Sequence, residues 1–247
     1  MAQAVGFSSA LIFDSLYDPG SESRLTGPAL FDAEVRGGLR AGTTDDRERA
    51  ASLSDVLLAG LLLWPAIDSL AIAGLGHQSS DVSWQLTVMT AEVVAADFLV
   101  STFIKALVHR ERPHGLDCSG EDREARSGRC STDGRNRSFY SAHASSAFSS
   151  AGVICMAHAH LPLYGDVGAD AFACGGAILT ASIVGVLRMI ADRHWATDVI
   201  TGAILGLATG LLLPYALHFG WDLSREDISA ATSPLVAPAT LSYGSAF

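Results

Sequence analysis

Five long apolar stretches constrain the fold of this chain more than any other feature of its sequence. Each approaches the roughly 20 residues that an α-helix needs to cross the apolar part of a bilayer. Charged residues make up only 17% of the chain and hydrophobic residues 49%, against about 25% charged in an average soluble domain. The pattern predicts an all-α, membrane-embedded bundle of about five transmembrane helices, over residues 56–75, 84–108, 144–163, 169–187 and 199–219.

Polar and small residues inside these stretches predict how the helices pack. Asp68, Glu92 and Asp97 lie within the first two stretches, and ionisable groups at such depth normally face the bundle interior. Gly202, Gly206 and Gly210 recur every four residues on the last one. Such a stripe of small residues allows another helix to approach closely. A soluble bundle with long core helices is the alternative interpretation.

The remaining sequence divides the chain into three regions. We expect residues 1–54 to be an N-terminal region with loops and a short amphipathic helix over 31–40, residues 55–219 to form one helical domain, and residues 220–247 to be a polar C-terminal tail. Residues 1–14 lack the basic start and apolar core of a cleavable export signal. The net charge of -10 argues against nucleic-acid binding, which usually requires a basic surface.

The four cysteines form two groups. Cys118 and Cys130 share the long polar loop over 109–140, and their spacing leaves open whether they form a disulfide. Cys155 and Cys174 lie inside apolar stretches. For them we expect buried free thiols.

Two clusters of residues at the ends of apolar stretches suit an anionic ligand. Lys105, the only lysine in the chain, is followed by Arg112 and Pro113, and an ammonium and a guanidinium together can hold several phosphate oxygens. Ser141, Ala142 and His143 stand where the polar loop turns into the third stretch, so that serine can cap a helix whose first amides favour an anion. The alternatives are a lysine at a membrane boundary and a capped helix with an incidental histidine.

A third cluster suits nucleophilic chemistry. Arg188 closes the fourth stretch, and His194 and Asp198 follow four residues apart. That spacing places both side chains on one helix face, where the carboxylate can bind one ring nitrogen and leave the other as a nucleophile. A purely structural hydrogen bond is the alternative. Alternating helix directions bring all three clusters to the same end of the bundle.

In this order, the clusters resemble the three-part signature of the type 2 phosphatidic acid phosphatase superfamily. The signature reads Lys, six residues, Arg-Pro; then Pro-Ser-Gly-His; then Ser-Arg, five residues, His, three residues, Asp, and the similarity runs from Lys105 to Asp198. Tyr140, Ala142 and Leu187 stand where the signature has proline, glycine and serine. These departures bear on substrate range and rate more than on the type of reaction.

The resemblance implies a fold, a reaction and a role for each matching residue. The fold is the helical phosphatase/haloperoxidase-like core, with no required metal or cofactor. His194 is implied as the nucleophile, Asp198 as the residue that orients it, and His143 as the acid. Lys105, Arg112, Arg188 and the Ser141 and Ala142 region are implied to bind phosphate.

The membrane location adds expectations about substrate and placement. We expect a phospholipid or polyprenyl phosphate substrate and a multi-pass protein in the cell membrane, while the oligomeric state stays open. The superfamily resemblance favours an extracytoplasmic site, although the arginines of the 109–140 loop favour the cytoplasmic side by the positive-inside rule. The alternative functions are a vanadium-dependent haloperoxidase and an inactive bundle that binds phospholipid.

Overall fold

A computed structural model describes residues 23–118 and 135–220, and these residues are helical apart from loops and one isolated bridge between Leu25 and Arg110. The elements, in chain order, are α1 (Asp32–Leu39), α2 (Thr44–Ile67, continued by a π-helical segment, Asp68–Gly76), α3 (Ser80–Val108), a 3-10 turn (Pro113–Cys118), α4 (Ala142–His160), α5 (Val167–Ile190) and α6 (Ala196–Pro214, continued by a π-helical segment, Tyr215–Phe219). The predicted all-α class is confirmed.

Side-chain caps explain why several helices begin before their apolar stretches. The Thr43 hydroxyl accepts a hydrogen bond from the amide of Asp46 at 3.1 Å, and the Ser141 hydroxyl accepts one from the amide of Ala144 at 3.3 Å. Each cap satisfies a first-turn amide that has no acceptor within the helix. Helix α2 therefore begins 12 residues before the predicted stretch at 56, with three polar turns that hydropathy does not detect.

Three of the five long helices are long and apolar enough to cross a membrane: Thr44–Gly76, Val167–Ile190 and Ala196–Phe219. The prediction of about five such helices is therefore met only in part. Helix α3 carries Glu92, Asp97 and Lys105, and α4 is rich in serine and histidine. Helix α4 is central and contacts α2, α3, α5 and α6, so much of its polar surface faces protein. Such a helix need not be apolar on every side.

The glycine stripe of α6 packs directly on α4, as predicted. A Cβ atom on Gly202 would lie 2.6 Å from the carbonyl oxygen of Ser141, and atoms added to Gly206 and Gly210 would lie closer still to the carbonyls of Ser145 and Ser149. The two backbones therefore touch at three successive turns. This contact fixes the start of α6 relative to the start of α4.

The cysteines in the apolar stretches correct one expectation. Cys155 on α4 and Cys174 on α5 form a disulfide, whereas buried free thiols were expected. Their Cα atoms are 4.4 Å apart, because α4 and α5 form an antiparallel hairpin and pack side by side. Whether Cys118 pairs with Cys130 was left open by the sequence, and Cys130 lies outside the described residues, as does the tail over 221–247.

The short helix α1, predicted over 31–40, docks on the link between α5 and α6. Asp192 in that link is buried and accepts hydrogen bonds from Arg36 at 2.7 and 2.9 Å. Arg40 pairs with the same carboxylate at 2.9 Å. Two arginines on one carboxylate hold α1 against the segment that leads to His194.

Candidate active site

The sequence-predicted residues lie at one end of the bundle, where helices of alternating direction end and begin. Lys105 is on the last turn of α3 and Arg188 on the last turn of α5. Ser141 and His143 open α4, and Asp198 is on the first turn of α6. His194 lies in the short link before α6.

The ring of His194 is held in one orientation by a backbone carbonyl. Its Nδ1 donates a hydrogen bond to the carbonyl oxygen of Ser138 at 2.9 Å, and the residue is 4% exposed. A carbonyl only accepts, so the proton must reside on Nδ1. Nε2 forms no hydrogen bond with any described residue, and its lone pair is left for attack on an electrophile.

Asp198 lies beside His194 but does not take the predicted direct bond. Its Oδ2 is 3.8 Å from His194 Nδ1, beyond hydrogen-bonding distance. The carboxylate instead accepts from Arg110 Nη1 at 2.6 Å, from the hydroxyl of Ser138 at 2.5 Å and from the amide of Trp195 at 3.0 Å. Ser138 thus serves both groups, since its hydroxyl binds Asp198 and its carbonyl orients His194.

Several cations surround the His194 ring. Burial, followed by the charges of nearby cationic groups, holds the pKa of His194 well below its ordinary value, so the ring is neutral at neutral pH. The groups that act in this way are Arg112, Arg188, Lys105 and His143.

Two of these cations lack a carboxylate partner among the described residues. Lys105 and Arg112 form no ion pair within the part of the chain that the structure describes. Burial and the neighbouring charges of Arg188 and Arg193 lower the pKa of Arg112 to about 10, which leaves it charged at neutral pH. Partly buried cations without carboxylates are costly unless an anion joins them. The arrangement therefore suits a multiply charged oxyanion such as phosphate.

His143 is paired with a carboxylate that sequence reasoning did not find. Its Nε2 donates to Asp55 Oδ1 at 2.8 Å, and Arg188 Nη1 donates to the same oxygen at 3.1 Å. Arg188 also bonds the hydroxyl of Ser54 at 3.1 Å. Burial and the charge of Arg188 lower the pKa of His143 to about 4, while the Asp55 carboxylate opposes that shift. The negative charge of a bound phosphate acts in the same direction as Asp55, towards the protonated ring that can act as an acid.

The start of α4 is fixed to the start of α6. The amide of Ser141 donates to the carbonyl of Asp198 at 3.1 Å, and the Ser141 hydroxyl caps α4. The first amides of a helix have no acceptor within the helix, and the helix dipole favours an anion there. This places the Ser141 and Ala142 backbone next to the residues that surround His194.

Four residues of the candidate site were not predicted from the sequence, and the sequence offers little signal for any of them. Ser138 lies three residues before the cluster of Ser141, Ala142 and His143, but serine before a helix suggests only a cap. Arg110 and Arg193 are two arginines among many, and Asp55 stands in a polar turn of α2. Of the departures from the signature, Leu187 packs with the apolar side chains of Ala50, Ala51 and Ala191, so apolar packing occupies that position.

Comparison with known families agrees with this geometry. The PAP2 superfamily model matches residues 86–221, a span that includes Lys105, Arg112, His143, Arg188, His194 and Asp198. The chain belongs to the PAP2 superfamily, whose activities are of the phosphatase and haloperoxidase kind. No curated protein and no solved structure matches the chain.

Proposed function

We propose that this protein is a membrane phosphatase that hydrolyses the phosphate monoester or diphosphate of a lipid. The reaction passes through a phosphohistidine on His194. The observation that carries the proposal is the His194 ring itself. Its Nδ1 proton is committed to the Ser138 carbonyl at 2.9 Å, and its Nε2 is next to cations that suit a phosphate. Superfamily membership supports phosphoesterase chemistry in general.

The proposed reaction has two steps. His194 Nε2 attacks phosphorus while the bond to the leaving oxygen breaks, and His143 donates a proton to that oxygen. Lys105, Arg112 and Arg188 stabilise the charge on the transferred phosphoryl group, with the first amides of α4 contributing. Water then attacks the phosphohistidine as the phosphorus–nitrogen bond breaks, and His143 takes the water proton. Inorganic phosphate leaves and both histidines return to their starting states.

The direct test is phosphate release by purified protein in detergent. The panel contains phosphatidic acid, phosphatidylglycerol phosphate, a polyprenyl diphosphate and a soluble aryl phosphate. We expect release from at least one lipid at a rate well above that of the His194→Ala variant. Bromide oxidation by peroxide after vanadate loading, without phosphate release, would favour the haloperoxidase alternative instead.

The pairing of His143 with Asp55 predicts a dependence on the leaving group. His143→Ala should slow hydrolysis of an alkyl phosphate by about a hundredfold or more, because the departing alkoxide needs a proton. An activated aryl phosphate should be partly spared. Asp55→Asn should show the same selectivity, but with a smaller loss of about tenfold, because the ring remains. The loss of the ion pair between Asp55 and Arg188 should affect both substrates alike.

The control for that comparison is Asp45→Asn, which removes an exposed carboxylate from the first turn of the same helix. It should leave the hydrolysis rates of the alkyl and the aryl phosphate unchanged. Equal losses on alkyl and aryl phosphates in the His143 variant would contradict the assignment of this residue as the acid.

We propose that the site faces the extracytoplasmic side of the cell membrane. Asp45, at the site end of α2, and Val167, at the opposite end of α5, are exposed, and Val167 is 86% exposed. In intact cells, an impermeant thiol reagent should label Asp45→Cys well above the parent chain and label Val167→Cys only after permeabilisation. The reverse pattern would place the site inside.

A further inference from the structure

Asp32, the first residue of α1, is fully buried although its helix is short and largely exposed. Its carboxylate accepts from Arg110 Nη2 at 2.6 Å, and from the amide and the hydroxyl of Thr197 at 2.9 and 2.8 Å. It also accepts from the amide of Ala29 at 2.9 Å. Asp32 lies outside the span over 86–221 that matches the superfamily.

Arg110 joins this carboxylate to the candidate active site. One terminal nitrogen bonds Asp32, while the other bonds Asp198 Oδ1 at 2.6 Å and the Thr197 hydroxyl at 2.7 Å. The guanidinium carbon also lies 5.5 Å from the centre of the Trp195 ring. Arg110 is 4% exposed, so the three charged groups interact with little screening by water.

Counting charges shows what Asp32 contributes. Arg110 and Asp198 alone would form a neutral pair. With Asp32 the group of three carries one net negative charge. In the proposed reaction His194 attacks while Nδ1 keeps its proton, so positive charge develops on the ring, and a net negative charge nearby stabilises that state.

We propose that Asp32 is a positioning residue that acts through Arg110. With Asp32 present, the group of Asp32, Arg110 and Asp198 keeps one net negative charge beside His194 during phosphoryl transfer. The inference rests on the proposed function. The groups that face His194 from the other elements are three cations, Lys105 of α3, Arg112 of the following loop and Arg188 of α5, together with His143 of α4, which is cationic only when protonated. Asp198 of α6 is the carboxylate within 4 Å of the ring, at 3.8 Å.

The first test is Asp32→Asn, which removes the charge and keeps the shape of the side chain. Helix α1 should stay docked, because Arg36 and Arg40 still bind Asp192. We expect kcat to fall about tenfold or more with KM within about twofold, since the lost interaction strengthens in the transition state. In the pH profile of kcat/KM, the apparent pKa on the acid side (the acid limb) should fall by about half a pH unit, because loss of a nearby negative charge favours the neutral imidazole.

Glu34→Gln is the matched control, because Glu34 is an exposed carboxylate on the same helix. It removes one negative charge from α1 without touching Arg110, and it should leave kcat and the acid limb unchanged. An equal effect in both variants would show that only the general charge of α1 matters and would overturn the proposal.

Arg110→Gln provides an independent test, because it predicts a shift in the opposite direction. Removing the cation makes the remaining group more negative, so the acid limb should move up. Limbs that stay in place, or that move the same way in both variants, would overturn the proposal. If Asp32→Asn does not remain monodisperse in detergent, the direction of the shift in Arg110→Gln decides alone.

Trapping the phosphoenzyme separates this inference from the function on which it rests. Wild-type protein that yields no phosphohistidine would reject the proposed function itself. Wild-type phosphohistidine together with an Asp32→Asn variant that forms it at the wild-type rate would reject only the role of Asp32. A phosphohistidine that forms about tenfold more slowly in that variant supports both.

Discussion

Replacing His194 with alanine is expected to reduce turnover of every phosphorylated substrate to the background rate, a loss of about four orders of magnitude or more. The reason is that this variant lacks the ring nitrogen that attacks phosphorus in the proposed reaction. The loss should not depend on the leaving group, because no covalent intermediate can form. Phosphate release from alkyl and aryl phosphates measures it.

Asp198→Asn should resemble a weaker form of the His194 lesion, with a loss of about a hundredfold or more. The Ser138 carbonyl still orients the ring, but the amide no longer carries the negative charge that Arg110 and the Ser138 hydroxyl bind. His160→Ala is the control, because His160 is an exposed histidine at the far end of α4. Full activity in the His194 variant would refute the assignment.

The second large effect concerns the fold. Gly206→Ala is expected to destabilise the protein by about 3 kcal/mol, at the upper end of the usual cost of overpacking, since the added methyl group meets backbone atoms that cannot rotate away. In a chain of this length that corresponds to a fall of roughly 10 °C in the midpoint of thermal unfolding. The clash is with the Ser145 backbone of α4, so activity should be lost along with stability.

Gly175→Ala is the matched control for this substitution. Gly175 lies on α5 with no atom within 4 Å of an added Cβ. Alanine is the better helix former, so this variant should unfold at the same or a slightly higher temperature. A Gly206→Ala variant as stable as Gly175→Ala would mean that α4 and α6 do not pack as closely as the structure shows.

The sequence was informative where local patterns decide the structure. The five long helices, the short helix α1 and the glycine stripe follow from hydrophobic period, capping and residue size, and these signals act over one or two turns. Three of the five helices are apolar enough to cross a membrane by composition alone, whereas α3 carries ionisable residues and α4, central in the bundle, is rich in serine and histidine. The early start of α2 was missed because a Thr43 cap and polar turns leave no apolar signal.

The finer geometry depends on contacts between distant parts of the chain. A spacing of four suggested that Asp198 binds His194, but the carbonyl of Ser138, 56 positions earlier, takes that bond. Asp55 reaches His143 across 88 positions, and Cys155 finds Cys174 across the α4–α5 hairpin. No local pattern encodes such pairings, since they follow from how the helices pack.

The phosphohistidine is the central claim, and rapid-quench trapping tests it most directly. Wild-type protein is mixed with substrate carrying a labelled phosphate, quenched in alkali to preserve the phosphorus–nitrogen bond, digested and sequenced by mass spectrometry. The account predicts label on His194 that appears before phosphate is released and decays as release proceeds. Label on His143, or substrate turnover at the full rate with no labelled histidine, would contradict it.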